Sequence, residues 1–295
     1  YGMSASGTNT ATIAFGGNNG IGTPVNYTNT ETWNGTSWTE VNDLNTVRTG
    51  LAGMGVSTSA LGVGGWILSS PSGGTVYANT ESWNGTSWTE VNDLNTARTN
   101  LAGSSGTATD GLAFGGSLPG ASALTEYWNG SNWTEVSDLS TAQNQLKGAG
   151  SSSSSALAWG GASSPQTASE EWTTTPAPTF TQINLGQVYF NSTANAFKVT
   201  EQPVPGGTWA SGGSLNDGRS SLTGIGIQTA VVAVSGQDSA TSLIASVEEY
   251  NGSVWTEVNN TPVTLKYHGA GGILTAGWIA GGLTTYNGTA FNAET

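Results

Sequence analysis

Cysteine is absent from this 295-residue chain, which rules out disulfide cross-links, thiolate nucleophiles and thiolate metal sites and leaves the redox compartment open. Charge is scarce as well: Asp, Glu, Lys and Arg make up 8% of the residues, against roughly 25% in ordinary globular domains. Six basic side chains stand against nineteen acidic ones, for a formal charge of −13. No basic patch is available to neutralise a phosphate backbone, so nucleic acid and anionic membrane surfaces are excluded as expected partners. The longest apolar stretches, Ile225 to Val234 and Ile273 to Ala280, fall well short of the ~20 residues of a membrane helix, and no membrane insertion is expected. No charged-then-apolar leader precedes the first repeat, so any targeting segment is expected to have been removed or to lie outside this chain. No segment sustains a helical period.

What the chain has is Gly, Ser, Thr, Asn and twelve Trp. The tryptophans and the regularly placed Val, Ile, Leu and Phe argue against disorder, which such a polar composition would otherwise suggest. Six short apolar runs end in a small pair, at Gly16-Gly17, Gly64-Gly65, Gly115-Gly116, Gly160-Gly161, Ser235-Gly236 and Gly281-Gly282. An aromatic, turn, aromatic segment follows each run. The copies Asn29 to Arg48 and Asn79 to Arg98 differ at two of twenty positions. Repetition at a period between 40 and 50 residues points to a propeller or solenoid, and continuous repetition favours a single domain over residues 1–295.

Each unit reads as four strands. In the copy near Gly50, Leu51 to Val56 is followed by Ala60 to Val63, Thr80 to Trp83 and Trp88 to Val91. Asn-Gly turns punctuate the chain at Asn34-Gly35, Asn84-Gly85, Asn129-Gly130, Asn251-Gly252 and Asn287-Gly288. A hairpin loop of either two or four residues puts Trp33 and Trp38 on one face of the sheet, so the aromatic pair is expected to serve blade packing. One unit departs from the pattern. Between Trp172 and Trp209 the spacing expands, and Gly186 to Thr200 reads as a hairpin inserted near 181–205, with Tyr189, Phe190 and Phe197 as its candidate partner contacts.

The succession of apolar strand, Gly-Gly, variable loop, Glu-x-aromatic, turn, Trp and Leu-x-x-x-Arg closely resembles the kelch repeat of β-propellers. The aromatic positions match at Trp33/Trp38, Trp83/Trp88, Trp128/Trp133, Trp172/Trp209, Tyr250/Trp255 and Tyr286/Phe291. The resemblance covers almost the whole chain. It implies an all-β, six-bladed propeller of four-stranded blades, with the half-blade Tyr1 to Gly17 pairing with a C-terminal half-blade, Thr284 to Glu294, to close the ring and remove its open edges.

Chemistry is harder to find. Arg48, Arg98 and Arg219 invite comparison with the arginine triad of six-bladed sialidases, but all three occupy the same repeat position, with Lys266 nearly equivalent. The sialidase Asp-box is also missing. Repeated Glu31, Glu81, Glu126, Glu170 or Glu171, and Glu248 or Glu249 offer partners, so one structural Arg-Glu contact per blade is the preferred expectation. Galactose oxidase, whose catalytic domain is kelch-like, needs two histidines and a Tyr-Cys cross-link at copper. This chain has His268 alone and no cysteine, and His268 is expected to be a packing or hydrogen-bonding residue. Asp110-Gly111 and Asp217-Gly218 read as turns rather than calcium loops. No catalytic residue, metal site or cofactor is expected.

Alternating strands place the second-to-third-strand connections on one face: Asn18 to Tyr27, Trp66 to Tyr77, Ser117 to Ala123, Ala162 to Ala168 and Gln237 to Ser246. Their lengths vary while the frame repeats, as on a scaffold that displays loops. Tyr27, Trp66, Ile67 and Tyr77 are the expected exposed anchors, with the three arginines on the same side. The Glu-x-Trp/Tyr-Asn-Gly-x-x-Trp-Thr and Leu-Asn-Thr-Ala-Arg-x-x-Leu-Ala-Gly style is similar to kelch-like repeats in virion proteins of tailed phages, particularly marine ones. That resemblance implies a non-enzymatic structural or adhesive propeller, on a virion or otherwise extracellular, whose partners are virion or cell-surface proteins or glycans. A secreted carbohydrate-binding propeller is the alternative, and a glycan-active enzyme stands third.

Overall fold

The computed structural model describes residues 2–19, 25–70, 73–104, 106–174, 188–191, 196–199 and 206–284. Its local unit is set by the Asn-Gly turn. In the first copy Trp33 lies directly opposite Trp38, so the loop has four residues, Asn34 to Ser37. The Asn34 side-chain oxygen accepts the amides of Thr36 and Ser37, both at 2.9 Å, and Gly35 takes φ +91°, a conformation that side chains resist. The same pairing recurs at Trp83/Trp88, Trp128/Trp133, Trp172/Trp209 and Tyr250/Trp255.

These hairpins are the outer halves of four-stranded antiparallel sheets. Blade one comprises Ser4–Thr8, Ala11–Phe15, Thr30–Trp33 and Trp38–Val41; blade two Ala52–Val56, Ser59–Val63, Thr80–Trp83 and Trp88–Val91; blade three Ala102–Gly103, Gly111–Phe114, Thr125–Trp128 and Trp133–Val136. Blade four comprises Lys147–Ser152, Ser155–Trp159, Ser169–Thr174 and Gly207–Ser211, and blade five Thr223–Ile227, Ala230–Gln237, Leu243–Tyr250 and Trp255–Val258. The protein is therefore an all-β propeller, with five blades rather than the expected six. The sixth repeat contributes a two-stranded sheet, Gly269–Ile273 with Ala276–Ala280; its aromatic pair, Tyr286 and Phe291, lies outside the described residues.

The expected half-blade closure is corrected too. Ser4–Thr8 and Ala11–Phe15 continue into Thr30–Trp33 and Trp38–Val41, because the N-terminal half-blade is followed at the usual spacing by its own aromatic pair. Blade one is thus one contiguous stretch, and no strand of it needs to be borrowed from the other end of the chain. The Thr284 to Glu294 half of that expectation falls beyond the described residues after Thr284. Closure comes instead from side-by-side packing: Gly269–Ile273 sits between the innermost strands of blades five and one, and Trp278 meets Trp38 edge-on with ring centroids 5.7 Å apart.

The core lies between blades rather than within any one. Ile13 and Phe15 of blade one pack with Leu51, Ala60, Trp83 and Trp88 of the next unit, and equivalent clusters join blades two to three, three to four and four to five. In blades two to four the aromatic pair divides its polar work. The first Trp donates within its own blade, as Trp83 does to the Ser57 carbonyl at 3.0 Å. The second reaches back one blade: Trp88 to Thr30 Oγ1 at 3.0 Å, Trp133 to Thr80 Oγ1 at 3.0 Å and Trp209 to Thr125 Oγ1 at 3.1 Å. A large apolar surface is buried and its one donor is satisfied in the same stroke. The Gly-Gly pair has an equally local cause, since at Gly64 (φ +63°) an added Cβ would sit 2.6 Å from the Arg98 carbonyl.

Candidate functional site

The three arginines are buried, each with no exposed surface, and so are not part of a binding face. Arg98 shows the design. One terminal nitrogen donates to the carbonyls of Gly115 at 2.9 Å and Leu124 at 2.6 Å, and the other to Glu126 at 3.0 Å. The Glu126 carboxylate also accepts the backbone and side-chain nitrogens of Asn95 at 2.7 and 2.9 Å. Arg48 and Glu81 repeat the arrangement at 2.8 Å, and Arg219 pairs with Glu248. Burial pulls each guanidinium below its ordinary pKa, and the adjacent glutamate opposes that pull. These pairs fasten the feeder loop of a blade to its third strand, as the repeat spacing led one to expect.

Two positions depart from that scheme. In blade four Gln143 replaces the arginine, and Glu170 accepts the amides of Ser140 and Thr141 at 2.8 and 3.3 Å. In the sixth repeat the arginine position is held by Leu265, not Lys266. The Leu265 carbonyl accepts the Gly236 amide just as the Arg48 and Arg98 carbonyls accept those of Gly17 and Gly65. Lys266 sits one residue later, where Thr49 and Thr99 sit, and its ammonium donates to Gln237 at 3.1 Å.

In blades two, three and five the variable connection is a short hairpin that continues the two middle strands. Trp66–Ser70 pairs with Gly73–Val76, and Ser117–Leu118 with Gly120–Ala121. In blade five the two middle strands themselves lengthen to form the loop, with Gln237 opposite Leu243. Feeder loops bridge onto these hairpins at Thr49/Trp66, Thr99/Ser117, Ser220/Gln237 and Lys266/Leu283. Neighbouring loops are also joined, since the Asn26 side chain donates to the Leu68 carbonyl at 2.8 Å and accepts its amide at 3.2 Å. Of the expected anchors, Tyr27 is exposed, whereas Trp66, Ile67 and Tyr77 are half-buried against the rim they build. In the inserted segment Val188–Asn191 pairs with Ala196–Val199, placing Tyr189 opposite Lys198 and Phe190 opposite Phe197. Their side chains lie outside the described residues.

A feature that sequence reasoning missed is the axis. The innermost strands of the five blades and the sixth sheet surround a channel with a cavity of about 150 Å³. At its mouth the residues Gly2, Gly50, Asn100, Gln145, Ser221 and Tyr267 all take left-handed backbone angles, with φ between 53° and 71°. Backbone bonds link several in sequence: Gly50 to Gly2 at 2.8 Å, Asn100 to Gly50 at 2.7 Å, Gln145 to Asn100 at 3.0 Å and Tyr267 to Ser221 at 3.0 Å. Four of the six are not glycine, so a collar of strained residues is held in place by its neighbours. The next position inward is Leu51, Leu101, Leu146 and Leu222 in four repeats and His268 in the last. The signal was present in the sequence as a histidine in a leucine column, but the column becomes visible only once the left-handed residues fix the phase.

Among the described residues no group of three His, Asp or Glu side chains is placed to hold a metal ion, and no helix is long and apolar enough to cross a membrane. Comparison with protein families and with curated proteins finds no match to this chain.

Proposed function

We propose that this propeller works by surface contact rather than by chemistry, as a structural or adhesive component of a phage particle that meets other virion proteins or a host surface. The observation that carries this reading is the contrast between frame and rim. The arginine-glutamate charges are spent inside the blades, while the connections that differ from repeat to repeat are raised on one face, in blades two, three and five as braced hairpins. Preorganised loops bind without a large ordering cost. The kelch-like repeat style supports the same assignment. The inserted hairpin leaves from a third-to-fourth-strand connection, which strand alternation assigns to the opposite face, so one side is free to dock to an assembly while the other meets a partner.

The test is replacement of residues 186–200 by a short Asn-Gly turn, followed by thermal melting and by incorporation into particles from the native source. The expected result is an unchanged melt with reduced incorporation. Normal incorporation, together with glycan hydrolysis by the parent protein, would refute the proposal; saturable, sugar-competed binding to a glycan array would replace it with a lectin.

A further inference from the structure

A second site, unrelated to the rim, lies at the channel mouth. His268 is 4% exposed; neither ring nitrogen makes a hydrogen bond of ordinary geometry, and the backbone of Val234 is the neighbour that favours its protonated form. It lines the channel with Lys147, the first residue of the innermost strand of blade four, which stands where Ala52 and Ala102 stand in blades two and three. The three arginines are consumed by glutamates and Lys266 by Gln237. Lys147 has no carboxylate partner among the described residues, and no Asp or Glu lines either part of the channel. Two nitrogen groups thus line one channel without a counter-charge among its lining residues, His268 where four repeats carry Leu and Lys147 where the other blades carry Ser4, Ala52, Ala102 and Thr223, in a protein of net charge −13. Buried polar groups left unsatisfied are costly, and their retention calls for an explanation.

We propose that the channel mouth binds a small oxyanion, a carboxylate or a phosphate, held between the Lys147 ammonium and the His268 imidazole. The space supports an ion of this size. The deeper section is about 150 Å³ and the outer one about 70 Å³, against about 30 Å³ for each water in the liquid. Left alone, both groups are driven toward neutrality, His268 to a pKa of about 3 by burial and then by Lys147, against a smaller opposing contribution from the Val234 backbone, and Lys147 downward by burial. An anion between them would reverse that cost and give both groups a charged acceptor.

The chain has one histidine, so its imidazole nitrogens are a built-in reporter. In the ¹⁵N-labelled protein, titration with inorganic phosphate and separately with acetate should shift the imidazole resonances saturably, while chloride at equal ionic strength should not. The stronger of the two ions identifies the chemistry. Lys147→Ala, which installs the residue found in blades two and three, should leave the melting temperature near that of the parent and weaken binding by about tenfold or more. His268→Leu, the residue of the other repeats, should fold and abolish phosphate-induced stabilisation in thermal melts. No saturable shift with either oxyanion, an equal response to chloride, or an unchanged titration in Lys147→Ala would overturn the proposal.

Discussion

Arg98→Ala tests whether the ionic pairs are architecture. The side chain is wholly buried, and its removal strips donors from the carbonyls of Gly115 and Leu124 and from Glu126. Glu126 keeps the two Asn95 nitrogens, so its charge is not fully abandoned. Breaking a buried pair by removing one partner costs about 3 to 5 kcal/mol, and the residual Asn95 bonds place this case toward the lower end. At about 2 °C per kcal/mol for a domain of this size, the melting temperature should fall by roughly 6 to 10 °C. Tryptophan fluorescence in urea and in a thermal ramp would read both quantities, with Trp128 and Trp133 in the affected blade. Arg98→Gln should cost less, because blade four carries Gln143 at the same position and satisfies Glu170 from backbone amides. A melting temperature unchanged in Arg98→Ala, with loss of binding to particle or glycan, would refute the reasoning and return the arginines to the surface role that their burial denies them.

Two further predictions concern other links in the frame. His268 has a folded pKa of about 3, below the ordinary value of 6.5, so between these values the unfolded chain binds the proton and the folded one does not. Stability is therefore lost as pH falls below about 6.5, by about 2 kcal/mol at pH 5 from this residue alone. Urea melts at pH 7 and pH 5 should show that loss in the parent relative to His268→Leu, and equal slopes in the two proteins would contradict it. Trp133→Phe removes the bond to Thr80 Oγ1 and should cost about 1 to 2 kcal/mol. Thr80→Val should cost a similar amount, and in a double-mutant cycle the two losses should be strongly non-additive; simple additivity would show that the staple between blades two and three carries no energy.

The legible part of the fold was the part written within one repeat. Trp33 to Trp38, the Asn-Gly turn and the Gly-Gly pair are local, and their geometry follows from residues a few positions apart. The arginine-glutamate partnership was also within reach, because Arg48 and Glu81 recur at fixed spacing in Arg98 and Glu126. What the sequence concealed depends on how repeats meet. Trp88 and Thr30 are 58 residues apart, and no periodicity says that the second tryptophan of a blade donates backward rather than within its own sheet. Phase was the other obstacle. Lys266 looks like the fourth basic residue of a series until the Gly236 amide, bonded to the Leu265 carbonyl, moves the register by one. The same one-residue shift carries His268 into the leucine column and so into the channel. Blade number was misjudged because six sequence copies were equated with six complete sheets, and the last copy contributes two strands to the described structure.

The distribution of strain and charge bears on why such a protein would be built at all. A repeat that needed only to fold could dispense with buried ion pairs, since well-packed apolar side chains of similar volume are often no less stable. Here each arginine reaches the carbonyls bordering a variable loop, Gly64 and Asn79 for Arg48, Gly115 and Leu124 for Arg98. The ion pair therefore pins the two ends of the displayed hairpin rather than the blade's centre. Because its donors grip backbone carbonyls, the hairpin between them is free to change in sequence and length without loosening its base. The difference between Trp66 to Tyr77 and Ser117 to Ala123 is what that freedom permits. Lys147 and His268 stand apart from these loops, on the axis and with no carboxylate among the residues that line the channel, where the collar holds them away from the rim.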